Sequence, residues 1–301
     1  MQQANTSRGL LAQTSIHAGT GSNTGVIDLP IQREGHNGWP CVFGSAMKGA
    51  LRTRAETQYG KDNNSVICVF GPTTQNASDH AGAIMVSDAR LLLLPIRSLT
   101  SQFKWVTCPD ALKRFKRDAE RFGMKALQET IPAVTGDNAV VPQQTKDGAL
   151  FLEEYRFDAK MQNLDGLIKS LANLMQRDDA ETALQQQLVI VSNDMFAHLC
   201  QHATPVNAHI AIDSDTKTVR NGALWYEETL PPETLLYVGL SAVQARMPKK
   251  DKKDTNETLP MPAESILGAV TGLFAQQPWL QVGGNETVGM GWCAVKALGG
   301  K

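Results

Sequence analysis

Between Thr14 and Arg54 the sequence TSIHAGTGSNTGVIDLPIQREGHNGWPCVFGSAMKGALRTR gathers residues that packing alone does not call for. Its first half is crowded with Gly and small polar residues, which favour turns and close backbone approach. From Ser45 a short helical pattern sets Met47, Ala50 and Leu51 on one side and Lys48, Arg52 and Arg54 elsewhere. A glycine-bounded helix start carrying Lys and Arg can bind phosphate, because backbone N–H groups and side-chain cations point the same way. The same features equally describe a glycine-rich turn leading into an ordinary solvated helix.

Other constellations carry less chemistry than they suggest. His198 and His202, with Cys200 between and His209 beyond, resemble a metal set by composition. On a helix positions 198 and 202 share a face that Cys200 does not, and there is no HExxH, so a structural or surface role is expected. Glu227 and Glu228 look like a carboxylate pair, yet adjacent residues of an extended chain point to opposite sides. Asp88 interrupts an apolar run and is read as facing solvent or capping a turn. Arg90, Arg97, Lys104, Lys113, Arg114, Lys116, Arg117, Arg121 and Lys125 form a locally basic region that could follow a phosphate backbone. A solvated helix face reads the same way.

The elements that must position these residues follow from periodicity. Strands are expected at 10–15, through 81–95, at 150–157, 188–191, 208–212 and 235–241, and finally around 290–295. Helices are expected over 45–58, from Pro109 onward through DALKRFKRDAERFGMKALQE, over 161–187 and over 262–276. The stretch 130–148 is irregular and rich in turn formers, as binding loops often are. GALWYEETLPPE reads as an aromatic and acidic surface, and RMPKKDKKDTNET (246–258), with four lysines, as an exposed loop.

Composition sets wider bounds. With 301 residues, 42% of them hydrophobic, the chain can bury a substantial core. Five scattered cysteines without a CxxC pair suggest neither a disulfide framework nor a zinc finger. The N-terminal stretch lacks the pattern of a signal peptide and no segment has the length of a membrane span, so a soluble cytoplasmic protein with no membrane partner is expected. Lys and Arg total 29 against 30 for Asp and Glu, a formal charge of -1, without the basic excess of a self-sufficient nucleic-acid binder.

Several blocks nevertheless form a recognisable series. IHAGTG (16–21), GVIDLPIQRE (25–34), GSAMKGALR (44–52), VSDARLLLLPIRS (86–98), WVTCP (105–109), GALWYEETLPPETLLY (222–237) and VGGNETVGMGW (282–292) span nearly the whole chain. In that order they resemble the CRISPR-associated RAMP superfamily and, within it, the repeated backbone subunits of type III-B (Cmr) RNA-guided interference complexes. The resemblance implies an α+β fold, a ferredoxin-like or RRM-like core elaborated by helical and β-hairpin insertions. A single domain over 1–301 is expected, with insertions around 109–187 and 242–261. It implies a subunit that binds crRNA, polymerises with copies of itself and with other Cmr-type subunits, and cleaves complementary target RNA as a metal-dependent endoribonuclease.

Carried onto this sequence, the resemblance makes Asp28 the catalytic acid and the ligand of a divalent cation, Mg²⁺ or Mn²⁺, although one carboxylate is a weak metal site in isolation. His17 and Lys48 are possible supporting residues, the first as acid, base or phosphate contact, the second as phosphate contact or charge stabiliser. Guide binding falls to Lys48, Arg52 and the glycine-rich loop with Gly283, Gly284, Gly289 and Gly291, which the resemblance packs beside the first helix. It also implies a projection that reaches across the guide–target duplex, with an insertion in or before the 130–148 region as its candidate. Two other readings stay open: a structural guide-binding subunit without cleavage, and a stand-alone endoribonuclease that processes precursor guide RNA.

Overall fold

A computed structural model describes residues 3–72, 80–124, 127, 129–145, 148–246 and 261–298. In chain order these form β1 (Ala4–Ala12), β2 (Cys41–Val42), α1 (Gly44–Tyr59), α2 (Asn64–Phe70), β3 (Ile84–Val86), β4 (Ala89–Ser98), β5 (Ser101–Thr107) and α3 (Pro109–Arg121). There follow β6 (Asn138–Val141), β7 (Ala149–Leu152), β8 (Tyr155–Met161), α4 (Asp165–Ala172), α5 (Ala180–Gln187), β9 (Leu188–Val191) and α6 (Asn193–His202). The remainder holds β10 (Val206–Ile212), β11 (Val219–Glu228), β12 (Leu235–Ala242), α7 (Ala263–Gly272), β13 (Trp279–Gln281) and β14 (Trp292–Ala297).

The centre of the molecule is the run β14–β1–β12–β4, antiparallel throughout. With α1 between β1 and β4, and α7 between β12 and β14, this is the βαββαβ arrangement of a ferredoxin-like core. Successive residues of β1 feed opposite faces: Leu10 packs with Met47, Leu51, Ile266 and Val270 of α1 and α7, whereas Leu11 packs with Leu112, Phe115 and Leu171 of α3 and α4. Both faces are therefore covered, which is why Leu10–Ala12 of β1 and Leu91–Leu94 of β4 are apolar at consecutive positions rather than alternating.

The long connection from β4 to β12 extends the sheet through β5, β9, β6, β8 and β7. It then curls back, since Glu153 N–H donates to the Arg97 carbonyl at 3.0 Å. From this body the two-stranded ribbon β10–β11 stands as a separate sheet. Val206, Ile210, Ile212, Val219, Leu224 and Tyr226 on it are all exposed.

Several local expectations give way to tertiary structure. The helix from Pro109 ends at Arg121, where Gly123 takes a φ of 71°. The 161–187 stretch is two short helices, because β8 runs on to Met161 and pairs with β6. The region 130–148 contains β6, a strand of the central sheet, so that part of it is no projection. The lysines of 249–253 lie outside the described residues. Cys41, Cys68, Cys108, Cys200 and Cys293 are all buried, and burial pushes the thiols of Cys41, Cys108 and Cys293 up to about 12. Among the described residues no helix is long and apolar enough to cross a membrane.

Candidate functional site

Two backbone arms carry the N-terminal candidates. Gly19 and Ile31 form an antiparallel bridge, and Gln32 N–H donates to the Ala18 carbonyl at 2.8 Å. Between the arms the loop is held by few contacts, and Val26 at its tip is 94% exposed. Asp28 sits half-buried on the returning arm, where its Oδ2 accepts the Tyr226 N–H of β11 at 2.7 Å. Its Oδ1 makes no hydrogen bond among the described residues, so one carboxylate oxygen is fixed and the other is available.

His17 lies on the outgoing arm, its side chain 12% exposed, with Nδ1 2.8 Å from the Glu228 carbonyl. A carbonyl only accepts, so this bond assigns the proton to Nδ1 and leaves Nε2 as the acceptor of the neutral ring. Glu227 Oε1 lies 3.6 Å from the same Nδ1 and takes a hydrogen bond from Asn285 Nδ2. Asp28 and His17 thus hang from Tyr226 and Glu228, two positions apart on β11, or roughly 7 Å of strand. Gly19 keeps the exposed ring edge open, because a Cβ there would meet His17 Nε2 at 2.6 Å.

The glycine-rich loop closes on the same arm. Gly284 N–H donates to the His17 carbonyl and Gly291 N–H to the Ser15 carbonyl, both at 2.8 Å. A Cβ at Gly283, where φ is 86°, would lie 2.4 Å from the His17 oxygen. A Cβ at Gly289 would meet nothing within 4 Å, so that glycine serves its φ of 84° alone. The loop therefore braces His17 directly.

Lys48 and Arg52 stand apart on α1, whose first N–H, that of Gly44, is capped by Asp88 Oδ1 at 2.7 Å. Asp88 is thus a structural carboxylate. Lys48 is half-buried with no ion pair among the described residues, and its pKa is lowered by burial and then by the charge of Arg52. Arg52 is engaged, with Nε 2.7 Å from Glu56 Oε1 and Nη1 3.2 Å from the Pro72 carbonyl. The basic region downstream is also largely spoken for. Arg114 pairs with Glu34 at 2.6 Å, Arg90 with Asp118 at 2.8 Å, and Arg97 with Glu153.

Among the described residues no group of three His, Cys, Asp or Glu side chains could hold a metal ion. Asp28 offers one oxygen, which does not make a protein cage but suits a Mg²⁺-type ion that takes its other ligands from substrate phosphates and water. The α6 histidines are occupied otherwise: Tyr155 OH lies 2.8 Å from His198 Nε2, and the His198 and His202 rings are 4.5 Å apart.

Sequence reasoning missed part of this site. GALWYEETLPPE is not a free acidic surface: its first part is β11, and Glu227 and Glu228 are 4% and 2% exposed. They do point to opposite partners, Glu227 to His17 and Asn285, Glu228 to Arg33, Thr204 and Ile31. Those partners come from distant sequence, His17 being 211 positions from Glu228, so no local signal announced them.

Known proteins bear on this geometry. The family model of the RAMP superfamily matches residues 10–294. The chain belongs to the RAMP superfamily. It is 37% identical over 291 residues to the CRISPR system Cmr endoribonuclease Cmr4 of Pyrococcus furiosus, covering 95% of this chain and 93% of that protein. A crystal structure of oligomeric Cmr4 from Pyrococcus furiosus superposes with a TM-score of 0.71 at 28% identity, covering 100% of both chains. A type III-B Cmr-beta complex bound to cognate target RNA gives a TM-score of 0.73 at 19% identity, over 98% of this chain and 97% of that one, and shows the fold alone. The RAMP core expected from the sequence blocks is the core observed.

Proposed function

We propose that this RAMP chain is a crRNA-binding backbone subunit of a type III Cmr effector complex, assembling in several copies along the guide and cleaving complementary target RNA. The observation that carries the cleavage reading is the convergence of Asp28, His17 and the glycine-rich loop on the base of the exposed β10–β11 ribbon. The ribbon is the element that fits a projection across the guide–target duplex.

Breaking a phosphodiester requires that the attacking oxygen lose a proton and the leaving oxygen gain one. Asp28, with Oδ2 held by Tyr226 N–H, can present Oδ1 to the attacking group. His17 can give or take a proton at Nε2, while its Nδ1 is held by the Glu228 carbonyl and lies 3.6 Å from Glu227 Oε1. A divalent cation bound between Asp28 and the RNA would supply positive charge at the scissile phosphate. Lys48 belongs to the guide rather than to the chemistry, since it shares no hydrogen bond or ion pair with this group among the described residues.

The test is Asp28→Ala in complexes assembled with native partners. Cleavage is expected to fall by about 10²-fold or more, with guide occupancy kept. Exhaustive chelation should abolish wild-type cleavage if the cation takes part. Wild-type rates in the variant would refute the assignment, and a wild-type complex that binds but never cleaves would leave the structural-subunit reading. The Tyr155–His198 pair keeps the precursor-processing reading testable, by incubating the isolated chain with a repeat hairpin. Its neighbour Glu154 raises the Tyr155 pKa by charge, after burial, and is a poor companion for RNA phosphate.

A further inference from the structure

Every polar atom of one buried residue, Glu228, is spent on the two arms and on the root of the ribbon. Its N–H donates to the Leu29 carbonyl at 3.0 Å, one residue from Asp28, and its carbonyl holds His17 Nδ1 at 2.8 Å. Carboxylate Oε2 accepts the Ile31 N–H at 3.1 Å. Oε1 accepts from Thr204 Oγ1 at 2.6 Å and from Arg33 Nη2 at 2.5 Å. Arg33 in turn donates through Nη1 to the carbonyls of Gly38 at 2.7 Å and Cys200 at 2.9 Å, the latter in the last turn of α6. That turn leads directly into β10.

We infer that Glu228 and Arg33 form a positioning clasp that sets Asp28 and His17 relative to each other and to the ribbon. This rests on the proposed cleavage function and adds residues that touch no RNA. Glu228, 2% exposed and with both carboxylate oxygens engaged, cannot itself reach a phosphate. Nor is stability a sufficient reason for the pair, because a buried ion pair commonly does no better than an apolar pair of equal volume. What the pair supplies is direction. A guanidinium fork bonded to four acceptors, on Gly38, Cys200, Thr204 and Glu228, fixes their mutual positions as no apolar contact would.

The experiment uses the complete complex carrying the double variant R33M/E228Q, which removes both charges and so leaves no buried ion unpaired. Single-turnover cleavage at saturating target should drop roughly 10- to 100-fold, the scale that a misplacement of about 1 Å carries. Target affinity and guide occupancy should stay within about two-fold of wild type, the separation expected when only the reacting geometry is disturbed. A rate within about two-fold of wild type, or a rate that falls only in step with target affinity, overturns the clasp. If the double variant does not assemble, Thr204→Val decides. It deletes one hydroxyl from the clasp and keeps the side chain's shape, and it should slow cleavage by about 3-fold or more with affinity unchanged. An unaltered rate in that variant overturns the clasp. Failure of wild-type complexes to cleave defeats the underlying function, whereas normal cleavage by the variants defeats the clasp alone.

Discussion

At the scale of single residues, Gly19 provides a sharper test of the His17 role than His17 itself. Gly19→Ala is compatible with the backbone, whose φ there is not in the left-handed region, and adds one methyl group 2.6 Å from Nε2. The ring is held at Nδ1 by the Glu228 carbonyl and at its backbone by Gly284, so it has little room to retreat. The expected outcome is a loss of roughly 10-fold or more in cleavage rate with guide occupancy unchanged, measured in single turnover. Equal rates would mean that Nε2 takes no part. All of these residues lie in family blocks, but the blocks gave site roles to His17 and Asp28 and none to Gly19 or Glu227. A glycine in a glycine-rich stretch has no distinguishing mark, and Glu227 gains its meaning only from His17 and Asn285, which the fold brings to it.

At the scale of elements, α1 separates two cations that the sequence presents as equivalents. Arg52 is bound to Glu56 and Pro72, whereas Lys48 has no ion pair among the described residues and loses hydration to its surroundings. Lys48→Ala should therefore weaken guide binding and reduce the salt slope by about 1, and Arg52→Ala should do less. Because burial and the charge of Arg52 lower the Lys48 pKa, the amine is cationic below that value and the contact is lost as pH rises through it. Guide affinity should accordingly decline at a lower alkaline pH than an exposed lysine would give, and Lys48→Ala should remove that decline. Titrations of guide affinity against salt and pH check both statements. The helix itself was legible, because Met47, Leu51 and Ala55 recur at helical spacing and Gly60 closes it. The ribbon was only half legible: β10 reads as a strand, but β11 hides in an acidic segment whose carboxylates are hydrogen-bonded by Ile31, Arg33 and Asn285.

At the scale of the molecule, the charge balance argues for shared surfaces. Arg90, Arg97, Lys113 and Arg114 form ion pairs within the chain and Lys104 donates to the Gln186 carbonyl, so among the described residues Lys116, Arg117 and Arg121 are what the basic region leaves for outside partners. A nearly neutral subunit with an exposed apolar ribbon is better suited to a heterologous, head-to-tail array than to binding RNA alone. Native mass spectrometry of the complete complex should show several copies on one guide, and target mapping should show evenly spaced products that vanish together in Asp28→Ala assemblies. A single copy per complex would defeat the arrangement. The family blocks made this architecture legible from end to end. The curled sheet between β4 and β12 was not, because its strands are short and pair in an order the chain does not follow.

The pairing of β1 also governs when the molecule can exist. β1 finds its partners in β12, with Leu11 opposite Leu235, and in β14, with Leu11 opposite Ala294. Contacts of such separation are slow to form and are made late. On a ribosome, β1 must wait for β14 until residues 292–297 have emerged, with Leu10 and Leu11 uncovered meanwhile. The arm that carries His17 waits in the same way, since it is braced by Gly284 and Gly291 and has no seat until they are synthesised. A chain terminated before Gly284 would keep His17 and Asp28 in its sequence but leave the arm that carries His17 without its brace.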